Sequence, residues 1–366
     1  MKVAVFFGGK SCEHNISVIT GVQTLRALRG RFEAIPVFID PSGAFWTGRF
    51  DTMEAFKKSA HVKKTRVALM PPAPCLYDTK GKVIHTLDAA ILATHGFGGE
   101  DGCIQGLLTL CGIPFTGSGV AASAVGMDKT LMKKLFTQAS LPVLPYVGFT
   151  RAEYNDGLYA VVEQIKKNLR FPMIVKPASG GSSIGIAVAH EYPQLFEAVA
   201  AGFMWSNAVV VENALTDFTE LNCAVLGSGA EITASEIEQP VDFKEFLSYA
   251  DKYERKGKYK GNPGRVFPAD IPQELAEKVK SLARRAFSAI GAEGVARIDF
   301  LYDGKQLYVN EINTIPGALS HYLFDKGSNA LSFADLCARL VDIALKTKRD
   351  ADELKYVYES AYSIPK

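Results

Sequence analysis

Residues 3–7 form an unbroken apolar run closed by Gly8-Gly9, the pattern of a strand buried on both faces. A helix is expected from about residue 17 to 28, and strands at 34–39 and 89–94, the last ending at His95-Gly96. A helix at 104–111 and a short strand near Phe115 complete this region. Strand and helix alternate here, which predicts a doubly wound parallel sheet. Ligands of such sheets lie beyond the carboxyl ends of strands, where Gly8-Gly9 and His95-Gly96 sit. After a Gly-Ser-Gly break at 117–119, residues 120–139 read as one helix carrying Lys129. Buried strands follow at 173–175, ending in Lys176-Pro177, and at 209–211, ending at Glu212. Residues 272–290 read as an amphipathic helix. Pro272 suits its first turn, Leu275, Val279, Leu282 and Phe287 make the apolar stripe, and Gly291 ends it. A last helix is expected at 332–345. Residues 241–267 are charged and tyrosine-rich with little apolar periodicity, and a loop of that length is usually functional.

The full length of 366 residues allows two or three domains. Apolar content of 48% and charged content of 22% fit an ordinary globular protein. A net charge of +2 excludes a strongly basic nucleic-acid surface by bulk charge. No apolar run approaches the roughly 20 residues that span a bilayer. The N-terminal run meets glycines and charge at once, so it reads as a buried strand and not a signal peptide. Cys12, Cys75, Cys103, Cys111, Cys223 and Cys337 are scattered without CxxC spacing, as expected for reduced thiols of a cytoplasmic protein.

The densest chemistry lies in residues 296–317, ARIDFLYDGKQLYVNEINTIPG. Side chains of a strand share a face every second residue, so Arg297 pairs with Asp299 and Glu311 with Asn313. If the two strands form a hairpin, two carboxylates and an amide converge beside one cation. Mg²⁺ takes hard oxygen ligands, usually one or two carboxylates plus substrate phosphates. A two-residue turn at Asp303-Gly304 would put Asp299 and Glu311 on opposite faces, whereas a three- or five-residue loop gives one face. The longer loop is the expectation.

Other candidates are ambiguous singly. The glycine-rich stretch after Lys176 is neither a Walker loop nor a GxGxxG fingerprint, yet its small residues would let backbone N–H groups approach phosphate. Lys176, at the tip of an apolar strand, must find a partner or reach solvent. Lys129 alone is ambiguous, an exposed lysine being the default. His95 is either a loop cap or a ligand group, and Glu13 either a helix-start carboxylate or a ligand group. Lys252 and Tyr253 lie in the long loop, where solvated side chains are the default. Together these groups supply what phosphoryl transfer needs.

In this order the motifs resemble those of the D-alanine–D-alanine ligases, a family of the ATP-grasp superfamily. The segments that carry the resemblance are Phe7-Gly8-Gly9-Lys10-Ser11 with Glu13, His95-Gly96 with Gly99-Glu100-Asp101-Gly102, and Gln105-Gly106. Pro114 to Ser118, Met127-Asp128-Lys129, Lys176-Pro177-Ala178-Ser179 with Gly181-Ser182-Ser183, Arg297-Ile298-Asp299, and Asn313-Thr314 with Pro316-Gly317 continue it. The resemblance implies an N-terminal doubly wound domain (residues 1–120) before a two-lobed ATP-grasp fold, with lobes at 121–211 and 212–366 and a lid at 241–267. It implies ATP-driven ligation of two D-alanines through an acyl phosphate, for peptidoglycan precursor synthesis. By resemblance, Lys129, Lys176, Ser179, Gly181 and Ser183 hold ATP phosphates, and Glu212 and Glu220 lie along the adenosine. Asp299, Glu311 and Asn313 would hold two Mg²⁺ ions, Mn²⁺ being the alternative. Arg297 and the Gly317 N–H would stabilise the tetrahedral intermediate. Glu13, aided by His95, would anchor the first ammonium. Glu13, Ser182 and Tyr253 match a hydrogen-bonded triad that ties down the lid, and Lys252 a lysine contacting phosphate and substrate carboxylate. The partners implied are amino acids and a second copy of the chain, with no nucleic acid and no membrane.

The chain departs from the family pattern after Gly317. Ser320-His321-Tyr322-Leu323 stands where Ser-His-Ser-Leu is usual, and the second serine normally binds the carboxylate of the second D-alanine. Ala318-Leu319 replaces Met-Thr, Gly180 and Asn15 stand where glutamates are common, and one extra residue separates Glu212 from Glu220. Tyr253 favours D-alanine as acceptor; Tyr322 keeps D-serine, D-lactate or another amino acid open. A reading from another class is a non-catalytic nucleotide-binding regulator on the same scaffold.

Overall fold

The computed structural model describes residues 1–56, 63–241, 264–327 and 330–355, whose strands form three sheets. The first contains β1 (Lys2–Gly8), β2 (Glu33–Ile39), β3 (Phe45–Gly48), β4 (Lys64–Leu69), β5 (Cys75–Asp78), β6 (Val83–Thr86) and β7 (Ala89–Leu92), in the order β6-β5-β4-β3-β2-β1-β7. At its centre β1 runs parallel to both β2 and β7, as the apolar pattern implied. All side chains from Val3 to Phe7 are fully buried, which explains the unbroken run. β1 must end at Gly8: its φ is +92°, and a Cβ there would lie 2.2 Å from the Ile39 carbonyl oxygen. The chain then turns into α1 (His14–Ala27). The antiparallel extension through β3 to β6 is new. Sequence pattern missed it because these strands are short and half exposed; β4 buries only Val67.

After α2 (Cys103–Leu110), residues 120–139 form two helices instead of the one expected, α3 (Val120–Met127) and α4 (Lys129–Gln138). Asp128 separates them. It is extended, and its carboxylate accepts from the Thr130 and Leu131 N–H groups at 2.8 and 3.0 Å, the chemistry of an N-cap. Lys129 thereby opens α4.

The second sheet is antiparallel, with β8 (Tyr146–Thr150), β9 (Met173–Pro177), β10 (Ala187–Ala189) and β11 (Ala208–Asn213) in the order β10-β9-β11-β8. The third has β12 (Thr219–Ser228), β13 (Glu231–Pro240), β14 (Arg265–Val266), β15 (Gly294–Tyr302) and β16 (Leu307–Asn313), in the order β14-β13-β12-β15-β16. The helix Gln273–Ala289 covers the third sheet with Val279, Leu282 and Phe287, three of the four stripe residues. The last helix, Phe333–Asp352, returns Leu336, Leu340 and Val341 to the core under β1 and β7. Most of the long charged segment, 242–263, lies outside the described residues; Arg265 and Val266 pair with Pro240 and Gln239.

The β15–β16 hairpin corrects the expected register. Its loop, residues 303–306, has four residues, held by Asp303 Oδ1 accepting from the Lys305 and Gln306 N–H groups. An even-length loop would set Asp299 opposite Asn310. A bulge between Phe300↔Val309 and Asp299↔Glu311 absorbs Asn310 and restores the shared face. The convergence was foreseen, but a bulge and not loop length produces it.

Candidate active site

A cavity of about 280 Å³ is lined from all three sheets. Glu13, His95 and Glu100 line the side of the first sheet, Lys129, Lys176, Gly181, Ser182 and Ser183 the second, and Glu220, Arg297, Asp299, Glu311, Asn313 and Gly317 the third. Fourteen positions drawn from separate stretches of sequence thus share one space.

The hairpin wall is built around Arg297. Its guanidinium donates to both oxygens of Asp299, Nε to Oδ1 at 2.7 Å and Nη2 to Oδ2 at 2.8 Å. Asn313 Nδ2 donates to Asp299 Oδ2 at 3.1 Å. Burial pushes the Asp299 carboxyl up; Arg297 opposes this, while Glu311 and Glu238 add to it. Two carboxylates that repel each other on one face, with an amide beside them, form a hard-oxygen donor set short of positive charge. That set suits a divalent cation completed by phosphate oxygens.

The same cavity has a cationic wall. Lys129 Nζ donates to the Gly180 carbonyl at 2.7 Å, which ties α4 to the glycine-rich loop. Lys176, nearly fully buried, donates to Asn310 Oδ1 at 3.1 Å, so the bulge also aims Asn310 at this lysine. Within the loop Ser182 and Ser183 hold left-handed φ values of +53° and +56°. Ser182 donates its hydroxyl proton to Glu13 Oε1. Gly181 allows the approach, since a Cβ there would lie 3.0 Å from Glu13 Oε2.

The third group of contacts surrounds His95. Thr20 Oγ1 accepts from the Ala318 N–H at 3.1 Å and shares a hydrogen bond with His95 Nε2 at 2.9 Å. Burial pushes the His95 imidazole down to about 4, with the Arg297 charge adding to it, so the ring is neutral. The turn it supports is strained: Ala318, Leu319 and Ser320 all have φ near +50°. Glu100 accepts from the Gly96 N–H at 2.7 Å. Burial first and the Glu13 charge second push its carboxyl up to about 8.

Some expected residues sit elsewhere. Glu212 is fully buried behind Lys176 and does not line the cavity. The Ser179 N–H is engaged by Ser206 Oγ at 3.3 Å and lines a smaller neighbouring pocket. Tyr322 donates its hydroxyl to Glu238 Oε1 at 2.9 Å, with Arg265 stacked on its ring at 4.3 Å. The hydroxyl therefore serves a buried carboxylate. Lys252 and Tyr253 lie outside the described residues. Sequence reasoning missed Thr20, Lys133, Glu238 and Asn310 as site neighbours. Only Lys133 carried a signal, one helical turn after Lys129. Glu100 lies in the Gly99-Glu100-Asp101-Gly102 motif, whose pattern alone assigns it no role.

Two family models match this chain: D-ala D-ala ligase N-terminus over residues 2–118, and D-ala D-ala ligase C-terminus over 135–342. A D-alanine--D-alanine ligase of Geobacillus thermodenitrificans is 34% identical over 98% of this chain and 99% of its own length. One from Chloroherpeton thalassium is 37% identical, over 94% and 96%. Among solved structures, the D-alanine-D-alanine ligase from Coxiella burnetii superposes with a TM-score of 0.81 at 23% identity, covering 96% of both chains, which bears on the fold alone. The VanG D-Ala:D-Ser ligase from Enterococcus faecalis gives 0.80 at 27% identity, covering 94% of this chain and 99% of its own.

Proposed function

We propose, from the premise that this chain belongs to the D-alanine–D-alanine ligase family, that it uses ATP to join two D-alanines, supplying a peptidoglycan precursor. The observation that carries this is the gathering of acidic and cationic groups in one cavity. Arg297, Asp299, Glu311 and Asn313 line it together with Lys129, Lys176 and the Glu13–Ser182 pair.

The first D-alanine binds with its ammonium at Glu13, beside a neutral His95 that adds no repelling charge. Lys129, Lys176 and the N–H groups of the Gly181–Ser183 turn hold the triphosphate, and Glu220 faces the nucleoside. The carboxylate of the first D-alanine attacks the terminal phosphorus of ATP, giving an acyl phosphate and ADP. The amine of the second D-alanine, having lost a proton, attacks the acyl carbon. Negative charge then gathers on the carbonyl oxygen, where Arg297 and the Gly317 N–H meet it. The intermediate collapses to D-alanyl-D-alanine and phosphate. Asp299, Glu311 and Asn313 would hold Mg²⁺, two ions in this reading, whose charge offsets that of the phosphates. Residues 1–120, 121–211 and 212–366 are taken as the three domains. The same reading makes the enzyme a cytoplasmic homodimer; sedimentation at two protein concentrations tests the oligomer.

A second reading keeps the mechanism and changes the acceptor to D-serine, D-lactate or another amino acid. The Tyr322–Glu238 hydrogen bond favours it, because that hydroxyl is already engaged. Mass spectrometry of products from purified protein with Mg-ATP and single or paired amino acids separates the readings. D-alanyl-D-alanine with matching ADP release supports the first. Turnover that yields product only from another pair supports the second, and nucleotide binding without turnover would leave a regulator.

A further inference from the structure

Lys133 lies one helical turn after Lys129 on α4, yet its side chain is 1% exposed and faces inward. Its Nζ stands 3.3 Å from Glu212 Oε2 and 5.7 Å from the centre of the Tyr146 ring. Lys176 Nζ stands 3.4 Å from the same carboxylate. Glu212 is 0% exposed, and neither Lys133 Nζ nor Glu212 Oε1 has a well-aligned hydrogen bond. One carboxylate thus lies between two buried ammonium groups, and the trio has a net charge of +1. Burying an excess charge is costly unless it is paired and hydrogen-bonded. Only Lys176 of the trio lines the cavity. Among the described residues, the further charges acting on the trio are Lys129, on the same helix as Lys133, and Glu311 on β16.

Were Lys133 absent, Glu212 and Lys176 would make a neutral buried pair. The positive charge at the cavity wall would then be cancelled from behind. Lys133 prevents this by sharing the carboxylate. Burial raises the Glu212 carboxyl, but the Lys133 and Lys176 charges outweigh it and hold it low, so the carboxylate stays ionised between them.

We propose that Lys133 is a positioning residue for nucleotide binding, which offsets Glu212 so that the trio keeps a net positive charge where Lys176 meets a nucleoside triphosphate. This rests on the ligase reading above, and its test is direct binding of Mg²⁺ and a non-hydrolysable ATP analogue to the full chain by calorimetry, without amino acid. Lys133→Met is expected to weaken analogue binding about tenfold or more, equivalent to the loss of one favourable charge contact. The KM for ATP should rise in parallel, while the KM for each amino acid stays as in wild type. Lys133→Arg should recover most of the affinity. Lys133→Met/Glu212→Gln, which buries the same net charge as wild type, should bind more tightly than Lys133→Met.

A purely structural lysine would lower thermal stability without this split between ATP and amino-acid KM. Equal analogue affinity for wild type and Lys133→Met would overturn the proposal, and so would a double variant no better than the single. If Lys133→Met does not fold, the double variant decides: binding near wild type supports the proposal, and a loss beyond about tenfold overturns it. Wild-type protein that binds no analogue would overturn the ligase reading along with it, an outcome distinct from all of these.

Discussion

Arg297 grips both oxygens of Asp299, two residues ahead on the same strand, at 2.7 and 2.8 Å. The pair is partly buried, so the fork geometry and the charge contribute separately. Arg297→Lys keeps the charge and loses the fork. We expect kcat for dipeptide formation to fall about 100-fold, the scale of removing one donor from a developing oxyanion. Arg297→Met should also destabilise the fold by about 3 kcal/mol, the low end for a buried pair because Arg297 remains 23% exposed. Rates within threefold of wild type for Arg297→Lys would remove this arginine from the chemistry.

Glu100 should impose a pH dependence on stability. Its carboxyl titrates near 4.5 when unfolded and is pushed up to about 8 in the fold. Between those values the folded state binds the extra proton, so stability falls as pH rises through this window. Glu100→Gln removes the ionisable group and should flatten urea midpoints measured from pH 5 to 9. Parallel profiles for the two proteins would contradict the assignment.

His95 shifts in the opposite sense. With its ring held down to about 4, the unfolded state binds more protons between that value and 6.5. Its contribution to stability is complete above about pH 6.5 and is lost as pH falls through 4. Thr20→Val removes the hydroxyl that joins His95 to the Ala318 N–H, and should cost about 1–3 kcal/mol from the groups left unpaired. Thr20→Ser should restore most of it in thermal denaturation.

Gly96 has φ +73°, and a Cβ there would lie 2.2 Å from Ser11 Oγ and 3.0 Å from Glu13 Oε2. Gly96→Ala is therefore expected to destabilise by about 1–2 kcal/mol of backbone strain. It should also raise the KM of the first amino acid more than that of ATP. Steady-state kinetics with each substrate varied in turn would show an equal rise in both if Glu13 did not bind the amino acid.

Tyr322→Phe leaves Glu238 without its 2.9 Å donor and should cost about 1 kcal/mol. Tyr322→Ser returns the residue usual in the family and should lower the apparent KM of D-alanine at the second site. An unchanged or higher value would argue that Tyr322 does not limit the acceptor.

Much of this was legible in the chain. Period-two placement marked Arg297, Asp299, Glu311 and Asn313 as one face, and unbroken apolar runs marked β1 and β9, because burial acts on each residue locally and leaves a linear trace. The stripe Val279, Leu282 and Phe287 located its helix for the same reason. What the tertiary structure alone decided involves partners distant in sequence or backbone shifts without a compositional signature. The bulge at Asn310 changed the register without altering the alternation. The half-exposed strands β3 to β6 had no clear period. Glu212, read as a ligand group, became a buried counter-charge only when β9, β11 and α4 brought two lysines to it. Tyr322 found Glu238 84 residues away, a hydrogen bond that depends on packing and that spacing cannot express.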